Sequence, residues 1–376
     1  MTPETIEGPG IRLRPFHLTD APATATACAD PLTQRFLPAL PSPYTEADAR
    51  LWITEGAPGV WATGGAAYAI TDRATDQLLG SVGLHDVIPG RQEAAIGYWV
   101  APWARGRGVA TAATRTLAER AFTTGTIRLE LLTTAENTAS QRVALAAGFR
   151  HEGVRRSASP RRGGQGRDDL LAWARLANDP PGPTPRLLPD LPDGRVTDGV
   201  VELRALGPQH AAHMHDLNTR PEVVASRVPP EPPTQADTER HCREAMSRWL
   251  CDKAANMVIL DATSGATAGT CTLVLDHPPF RQAMIGYSLL PDWRGRGFAT
   301  RTIRLLTAWG FNEVRLERIW AGTHSGNVAS ERVLERAGFR REGRTRGGLP
   351  SGGNARADCT LYGLLSGDLA PPPGTC

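Results

Sequence analysis

A chain of 376 residues is longer than one ordinary domain and predicts two. With 42 Lys and Arg against 39 Asp and Glu, the net charge of +3 makes no basic field, and nucleic acid is not expected as a partner. No run approaches the roughly 18 apolar residues of a membrane span, MTPETIEGPG has no apolar core of a leader, and the cysteines show no zinc spacing, so the sequence predicts a reduced, cytoplasmic protein with no metal site.

Taken in order, GIRLRPFHLTDA (10–21) alternates apolar and polar residues and then enters a helix, with Asp20 as a candidate N-cap. YAITDRATDQLLGSVGLHD (68–86) reads as strand, turn, strand. IGYWVAPWARGRGVAT (96–111) is a β-run, a proline, an Arg-Gly-Arg-Gly turn and a small-residue helix start. Val109, Ala113, Leu117 and Ala121 recur at helical spacing after that turn. IRLELLTT (127–134) is a strand, and NTASQRVALAAGF (137–149) is a helix with Gly148-Phe149 as its C-cap. A Pro/Gly-rich loop (159–167) leads to the closing strand RDDLLAWARL (167–176).

NDPPGPTPRLLPDLPDG (178–194) follows, with six prolines that suit neither helix nor inner strand. Beyond it the whole order returns. Residues 285–300, IGYSLLPDWRGRGFAT, match 96–111 at ten of sixteen positions, 189 residues on. NVASERVLERAGF (327–339) matches 137–149 at eight of thirteen. The expected organisation is a domain over 1–177, a proline-rich linker over 178–194 and a second domain over 195–376.

The repeated turn suits an anion. Its glycines let the backbone turn sharply and present N–H groups, and the helix that starts there adds its positive end. The turn is not G-x-G-x-x-G, which speaks against a dinucleotide-dependent oxidoreductase.

The motifs Arg105-Gly106-Arg107-Gly108-Val109-Ala110 and Arg294-Gly295-Arg296-Gly297-Phe298-Ala299 are each preceded by an IGYW-type strand and followed by an N-x-x-S helix start and a closing AGF. On these residues each half resembles the GNAT superfamily of N-acetyltransferases, in the branch that acetylates ribosomal-protein N-termini. The resemblance implies an α/β fold, with two tandem domains that each have a mixed, splayed central sheet flanked by helices. It implies acetyl-CoA, or another acyl-CoA, with its pantetheine arm against the backbone of Tyr98, Trp99 and Val100 in the first domain and of Ser288, Leu289 and Leu290 in the second. The Arg-Gly turns would hold the pyrophosphate. Arg105 and Arg294 are read as turn caps, and Arg107 and Arg296 as either phosphate contacts or solvated charge. Asn137 and Asn327 would position the cofactor, and Ser140 and Ser330 would protonate the departing thiolate.

The general base departs from the branch pattern. The usual Glu position holds Ala95 in the first copy and Met284 in the second. Glu93, on the same strand face, is either a substitute or a strand-end charge, and Gln282 at that parity is no base. His85-Asp86 and Asp276-His277 are a second candidate pair, and His324, set against Ala135, a third. The leading reading is an N-acyltransferase acting on a primary amine of a small molecule, peptide or protein N-terminus, with the first domain active. The alternative is an acyl-CoA-binding scaffold or sensor. Two copies in one chain also suggest a pseudo-dimer that needs no second chain. The acceptor-side segments 22–60, 212–250, 159–167 and 346–356 name no substrate, and Trp52, Trp61 and Trp249 read as pocket or core.

Overall fold

The computed structural model describes residues 2–162, 166–225, 227, 230–276, 278–351 and 355–368. His277, Cys376 and parts of the loops 159–167 and 346–356 and of the segment 212–250 lie outside the described residues. The chain divides into two compact units, Met1–Pro185 and Arg186–Cys376, each built on an eight-stranded mixed sheet.

The first unit runs β1 (Ile6–Gly8), β2 (Ile11–Arg14), α1 (Ala21–Ala29), α2 (Pro31–Phe36), α3 (Glu46–Leu51), α4 (Ala57–Ala62), β3 (Ala66–Asp72), β4 (Leu78–Ile88), β5 (Glu93–Val100), α5 (Val109–Thr123), β6 (Arg128–Thr134), α6 (Thr138–Ala146), β7 (Arg150–Pro160) and β8 (Arg167–Leu176). Its strand order is β1-β2-β3-β4-β5-β6-β8-β7. The second unit repeats the plan with β9 (Arg195–Thr197), β10 (Val201–Ala205), α7 (Ala211–Thr219), α8 (Pro221–Val224), α9 (Gln235–Leu250), β11 (Ala254–Asp261), β12 (Thr267–Asp276), β13 (Gln282–Leu289), α10 (Phe298–Asn312), β14 (Arg318–His324), α11 (Val328–Arg336), β15 (Arg340–Pro350) and β16 (Arg356–Leu365). The short first strand of each unit carries too few residues to show a period and was not anticipated.

The apolar stripe of α5 is buried at Val109, Ala113, Leu117 and Ala121, and α10 buries Phe298, Thr302, Leu306 and Trp309. Gly148 takes a φ of 87°, and the Phe149 N–H behind it bonds the Ala144 carbonyl, closing α6. Asp20 precedes α1 as expected but does not cap it. Its carboxylate instead holds the buried Arg14 through two bonds of 2.8 and 3.0 Å and accepts from the His17 N–H at the edge of the surface.

The proline-rich stretch is divided between the units. Thr184 bonds Leu145 and Phe149 of the first unit. Leu188 and Leu191 sit in the core of the second, where the Trp249 indole donates to the Pro189 carbonyl at 3.0 Å.

The relationship that matters for function lies between the only two parallel neighbours in each described sheet. β5 pairs with β6 through three rungs, Glu93↔Arg128, Ala94↔Leu129 and Ala95↔Glu130, although β5 continues to Val100 and β6 to Thr134. β13 and β14 repeat this with Gln282↔Arg318, Ala283↔Ile319 and Met284↔Trp320. Beyond those rungs the strands part. β5 stays bonded to β4 as far as Val100↔Gly80, so its other edge is left with backbone groups that lack a strand partner.

Candidate active site

The Arg-Gly turn sits at the mouth of this parting. Gly106 and Gly108 have φ of 74° and 75°, and Gly295 and Gly297 have 71° and 81°. A β-carbon on any of the four would meet nothing within 4 Å, so the backbone conformation and not crowding selects glycine, and the space above the turn is open. Gly108 and Gly297 are the N-caps of α5 and α10, and neither helix start is capped by a side chain. The first-turn N–H groups of two 15-residue helices therefore face that space, which is the arrangement that binds a phosphate.

The arginines of the turn divide by role. Arg105 Nε bonds the Val100 carbonyl at 3.3 Å, and its Nη2 bonds Asp30 at 2.5 Å and Thr33 at 2.9 Å, so it ties the turn to α2. Arg294 does the same through Leu289 at 3.1 Å and Glu222 at 3.2 Å. Arg107 is exposed with Asp72 at 4.0 Å, and Arg296 lies over the Trp293 ring at 4.6 Å. Val109 and Phe298 are buried beneath the turn, while Ala110 and Ala299 are half-buried at the first turn of each helix.

Along the parted edge, alternate residues face opposite sides. Tyr98 turns toward α6, where its hydroxyl lies 2.7 Å from Ser140 Oγ. Asn137 caps α6 by accepting from the Ser140 N–H at 3.1 Å, which holds that serine in place. Burial pushes the Tyr98 phenol well above its ordinary range, against a smaller opposing pull from Ser140, so it stays protonated and able to donate. Trp99 turns to the other face and packs against the helical-layer cluster that includes Tyr44 and Ile53.

In the second unit the matching hydroxyl is Tyr287, 2.8 Å from Ser330 Oγ, its phenol pushed up to about 12 by burial. The segment equivalent to Tyr98–Val100 is thus Tyr287–Leu289, one residue before the Ser288–Leu290 expected. The Leu290 N–H is already committed to the Ala268 carbonyl. The 189-residue offset of the repeat carried the signal for Tyr287.

Where the strands begin to part, three side chains stand in a row on the Trp99 face. His85 pairs directly with Ala95 across β4 and β5, and Ala95 pairs directly with Glu130 across β5 and β6. His85 Nδ1 lies 3.0 Å from an Asp86 carboxylate oxygen. Its other ring nitrogen would stand 3.1 Å from a β-carbon built on Gly97, so Nε2 hangs over the first residues of the open edge. Glu93 shares this face one step deeper, where the strands are still paired, and meets Arg91 at 3.7 Å. Glu130 went unnoticed in the sequence because a lone Glu in a strand has no motif; only the pairing register brings it beside Ala95.

The second unit has none of these groups. Its register sets Val274 opposite Met284 and Met284 opposite Trp320, the places of His85, Ala95 and Glu130. Asp276 stands one step away, accepting from Trp320 and Gln282 at 3.2 Å each. His324 pairs with Cys359 as Thr134 pairs with Leu170, so its counterpart is Thr134 and not Ala135. The one-residue shift arises between the repeats' central helix and this strand.

On the same face of the first unit a cleft of about 200 Å³ is lined by Arg35, Phe36, Leu132, Thr134, Arg161 and Arg162 among others. Trp52 borders the helical layer, Trp61 meets Tyr68 edge-on, and Trp249 is core. Among the described residues no three His, Cys, Asp or Glu side chains gather as a metal site, and no helix is long and apolar enough to cross a membrane.

Compared with known proteins, the acetyltransferase (GNAT) domain family matches residues 11–150 and again 201–340. A probable N-acetyltransferase, YjcK of Bacillus subtilis, is 36% identical over 104 residues, 27% of this chain and 58% of that protein. A putative ribosomal N-acetyltransferase, YdaF of the same organism, is 38% identical over 85 residues, 23% of this chain and 46% of that protein. The chain thus spans about half the length of these curated relatives. The solved Mycobacterium smegmatis RimJ, in complex with CoA-disulfide, is similar at 25% identity with a TM-score of 0.41, over 46% of this chain and 85% of that one.

Proposed function

We propose a function from one premise: the chain belongs to the GNAT acetyltransferase family and carries its domain twice. It acts as an N-acetyltransferase that moves an acetyl group from acetyl-CoA to a primary amine of a small molecule, peptide or protein N-terminus. The observation that carries this reading is the three-rung pairing of β5 with β6, an open strand edge that leads from an uncapped helix start to His85 and Gly97.

The residues fit the donor. The turn over Arg105–Ala110 offers main-chain N–H groups and a helix end to a pyrophosphate, and the free edge at Tyr98–Val100 offers backbone to an amide-bearing arm. Acetyl-CoA supplies the thioester carbonyl when bound. His85 Nε2, oriented by Asp86 on Nδ1, takes a proton from the incoming ammonium. The Tyr98–Ser140 hydroxyl pair gives a proton to the departing sulfur. A strand N–H near Gly97 would stabilise the carbonyl oxygen as it gains charge.

We assign turnover to the first unit. The second keeps the glycine turn, Asn327, Ser330 and Tyr287 but sets Val274, Met284 and Trp320 where protons must move, and this favours donor binding there without transfer, as a sensor or scaffold. The free cysteines among the described residues, most of them buried, support a reducing, cytoplasmic setting, and the duplication supports a pseudo-dimer within one chain. The test is thiol release from acetyl-CoA with a panel of amines, for the natural chain and for His85→Ala. Release that is equal in both would remove His85 from the reaction, and release absent from both while CoA still binds would replace catalysis by the scaffold reading.

A further inference from the structure

We propose that Glu130 is the seat of the acceptor's ammonium group, which makes the acceptor a cationic amine and not a weakly basic one. The inference deepens the acyltransfer reading and rests on it for the reaction, though not for the binding.

The argument begins with size and register. Ala95 offers only a methyl group between His85 on one neighbouring strand and Glu130 on the other, and all three face the same way. Strands lie about 4.8 Å apart, so the two outer residues flank a notch roughly 10 Å across, floored by that methyl group. The notch opens toward the parted edge at the next residue, where the thioester carbonyl would lie. An alkylammonium fits between a carboxylate on one wall and an imidazole on the other.

Charge points the same way. The Glu130 side chain is only 17% exposed, which strengthens its pull on a cation. Its partner is Arg155 of β7, whose side chain is 53% exposed and can swing into water when a substrate cation takes its place. The other carboxylates at this end are engaged elsewhere, Glu93 with Arg91 and Glu152 with Arg128.

The repeat supplies an internal comparison. The Arg128–Glu152 pair returns in the second unit as Arg318–Glu342, as expected of a scaffold contact. The Glu130–Arg155 pair does not. The registers put Trp320 and Thr345 in the two positions, in the same unit that has Val274 for His85. Glu130 thus accompanies the imidazole and not the sheet.

The proton balance closes with these groups. The ammonium gives up two protons as the C–N bond forms and the C–S bond breaks. One leaves through His85 to water and the other ends on the sulfur by way of the Tyr98–Ser140 pair. Glu130 gains and loses none; it holds the charge of the amine until His85 has taken the first proton.

The experiment compares Glu130→Gln with Arg155→Met, using n-butylamine, an ammonium at neutral pH, and O-methylhydroxylamine, which is uncharged there. Glu130→Gln should raise KM for butylamine about 10- to 100-fold and leave the hydroxylamine within about 2-fold. Arg155→Met should lower KM for butylamine, because it removes the competing cation. A merely structural pair predicts that both variants shift KM in the same direction and for both amines, and that result overturns the proposal. Equilibrium titration of butylamine into the CoA-loaded chain reads the same contrast without turnover. If no amine is acetylated yet Glu130→Gln weakens that binding about tenfold, the seat stands and the acyltransfer reading falls. If transfer proceeds and the binding does not change, the seat falls alone.

Discussion

The Tyr98 phenol oxygen lies 2.7 Å from Ser140 Oγ, and Tyr287 and Ser330 repeat the contact at 2.8 Å in the second unit. A hydroxyl pair held by a capped helix start is a proton source of fixed position. Tyr98→Phe is expected to lower kcat by about 10- to 100-fold while KM for acetyl-CoA changes little, since a donor that acts on the leaving sulfur contributes only in the transition state. The orphaned Ser140 hydroxyl should also cost about 1 kcal/mol of stability. The same change at Tyr287 is the comparison, and equal losses of kcat from the two would mean that both units turn over.

His85 is the sharper case. Removal of a general base costs about 10²- to 10⁴-fold in rate, and His85→Ala should fall in that range with CoA affinity intact. Asp86 is exposed and orients the ring through Nδ1 only, so Asp86→Asn should lose about tenfold or less. Thiol release and CoA titration on the same preparations check both. If His85→Ala loses CoA affinity in step with rate, the ring supports the strand and does not move protons.

What the sequence disclosed and what it withheld follow from how each feature is encoded. The glycine turn, the Asn137 cap and the apolar stripe of α5 are local, and local spacing writes them openly in two copies. The duplicated strands and their α/β order were legible for the same reason. The row His85, Ala95, Glu130 is set by pairing between strands that are far apart in sequence, and no local pattern records a register. A single-residue shift ahead of β14 was enough to misalign His324, and Ser288–Leu290 lay one residue off the constant 189-residue offset; either slip matters because one residue in a strand moves a side chain to the other face. Asp20 misled for a different reason. It stands where an N-cap stands, yet Arg14, buried beside it, offers a charged partner stronger than a backbone N–H.

That buried pair makes a prediction about folding. Both side chains are nearly inaccessible, Arg14 at 7% and Asp20 at 6%. Arg14 keeps Asp76 at 3.1 Å when Asp20 is lost, so the larger cost falls on removing the arginine: Arg14→Met strands the buried Asp20 carboxylate and should cost about 3–5 kcal/mol. Replacing both, as Arg14→Met with Asp20→Leu, should recover most of that loss. Chemical denaturation of the two variants beside the natural chain reads the difference. If the single and double changes are equally harmful, the pair is not the cause.

The tether of the phosphate turn predicts a pH effect. The Arg105 guanidinium, with help from Thr33, holds the Asp30 carboxyl below its ordinary value of 3.8. A carboxyl depressed in the folded state adds stability that is complete above its unfolded value and fades as pH falls through the folded one. Stability of the natural chain should therefore rise with pH across the window just below 3.8, and Asp30→Asn should flatten that rise. The variant should also bind CoA more weakly at neutral pH, by about fivefold, since Arg105 loses a charged anchor for the turn. An unchanged acid limb would show that Arg105 and Asp30 do not pair in solution.

The two glycine turns separate the units by stoichiometry. Gly108 and Gly297 sit at φ of 75° and 81°, where an alanine is strained by about 1–2 kcal/mol and puts a methyl into the space meant for phosphate. The natural chain should bind two CoA per chain by calorimetry, and Gly108→Ala and Gly297→Ala one each. Thiol release should vanish with Gly108→Ala and persist with Gly297→Ala, because the groups proposed to move protons belong to the first unit. Loss of transfer from Gly297→Ala, with one CoA still bound, would mean that occupancy of the second turn governs the first. The Val274, Met284 and Trp320 unit would then be a sensor acting on its active neighbour and not a copy that has merely lost its chemistry.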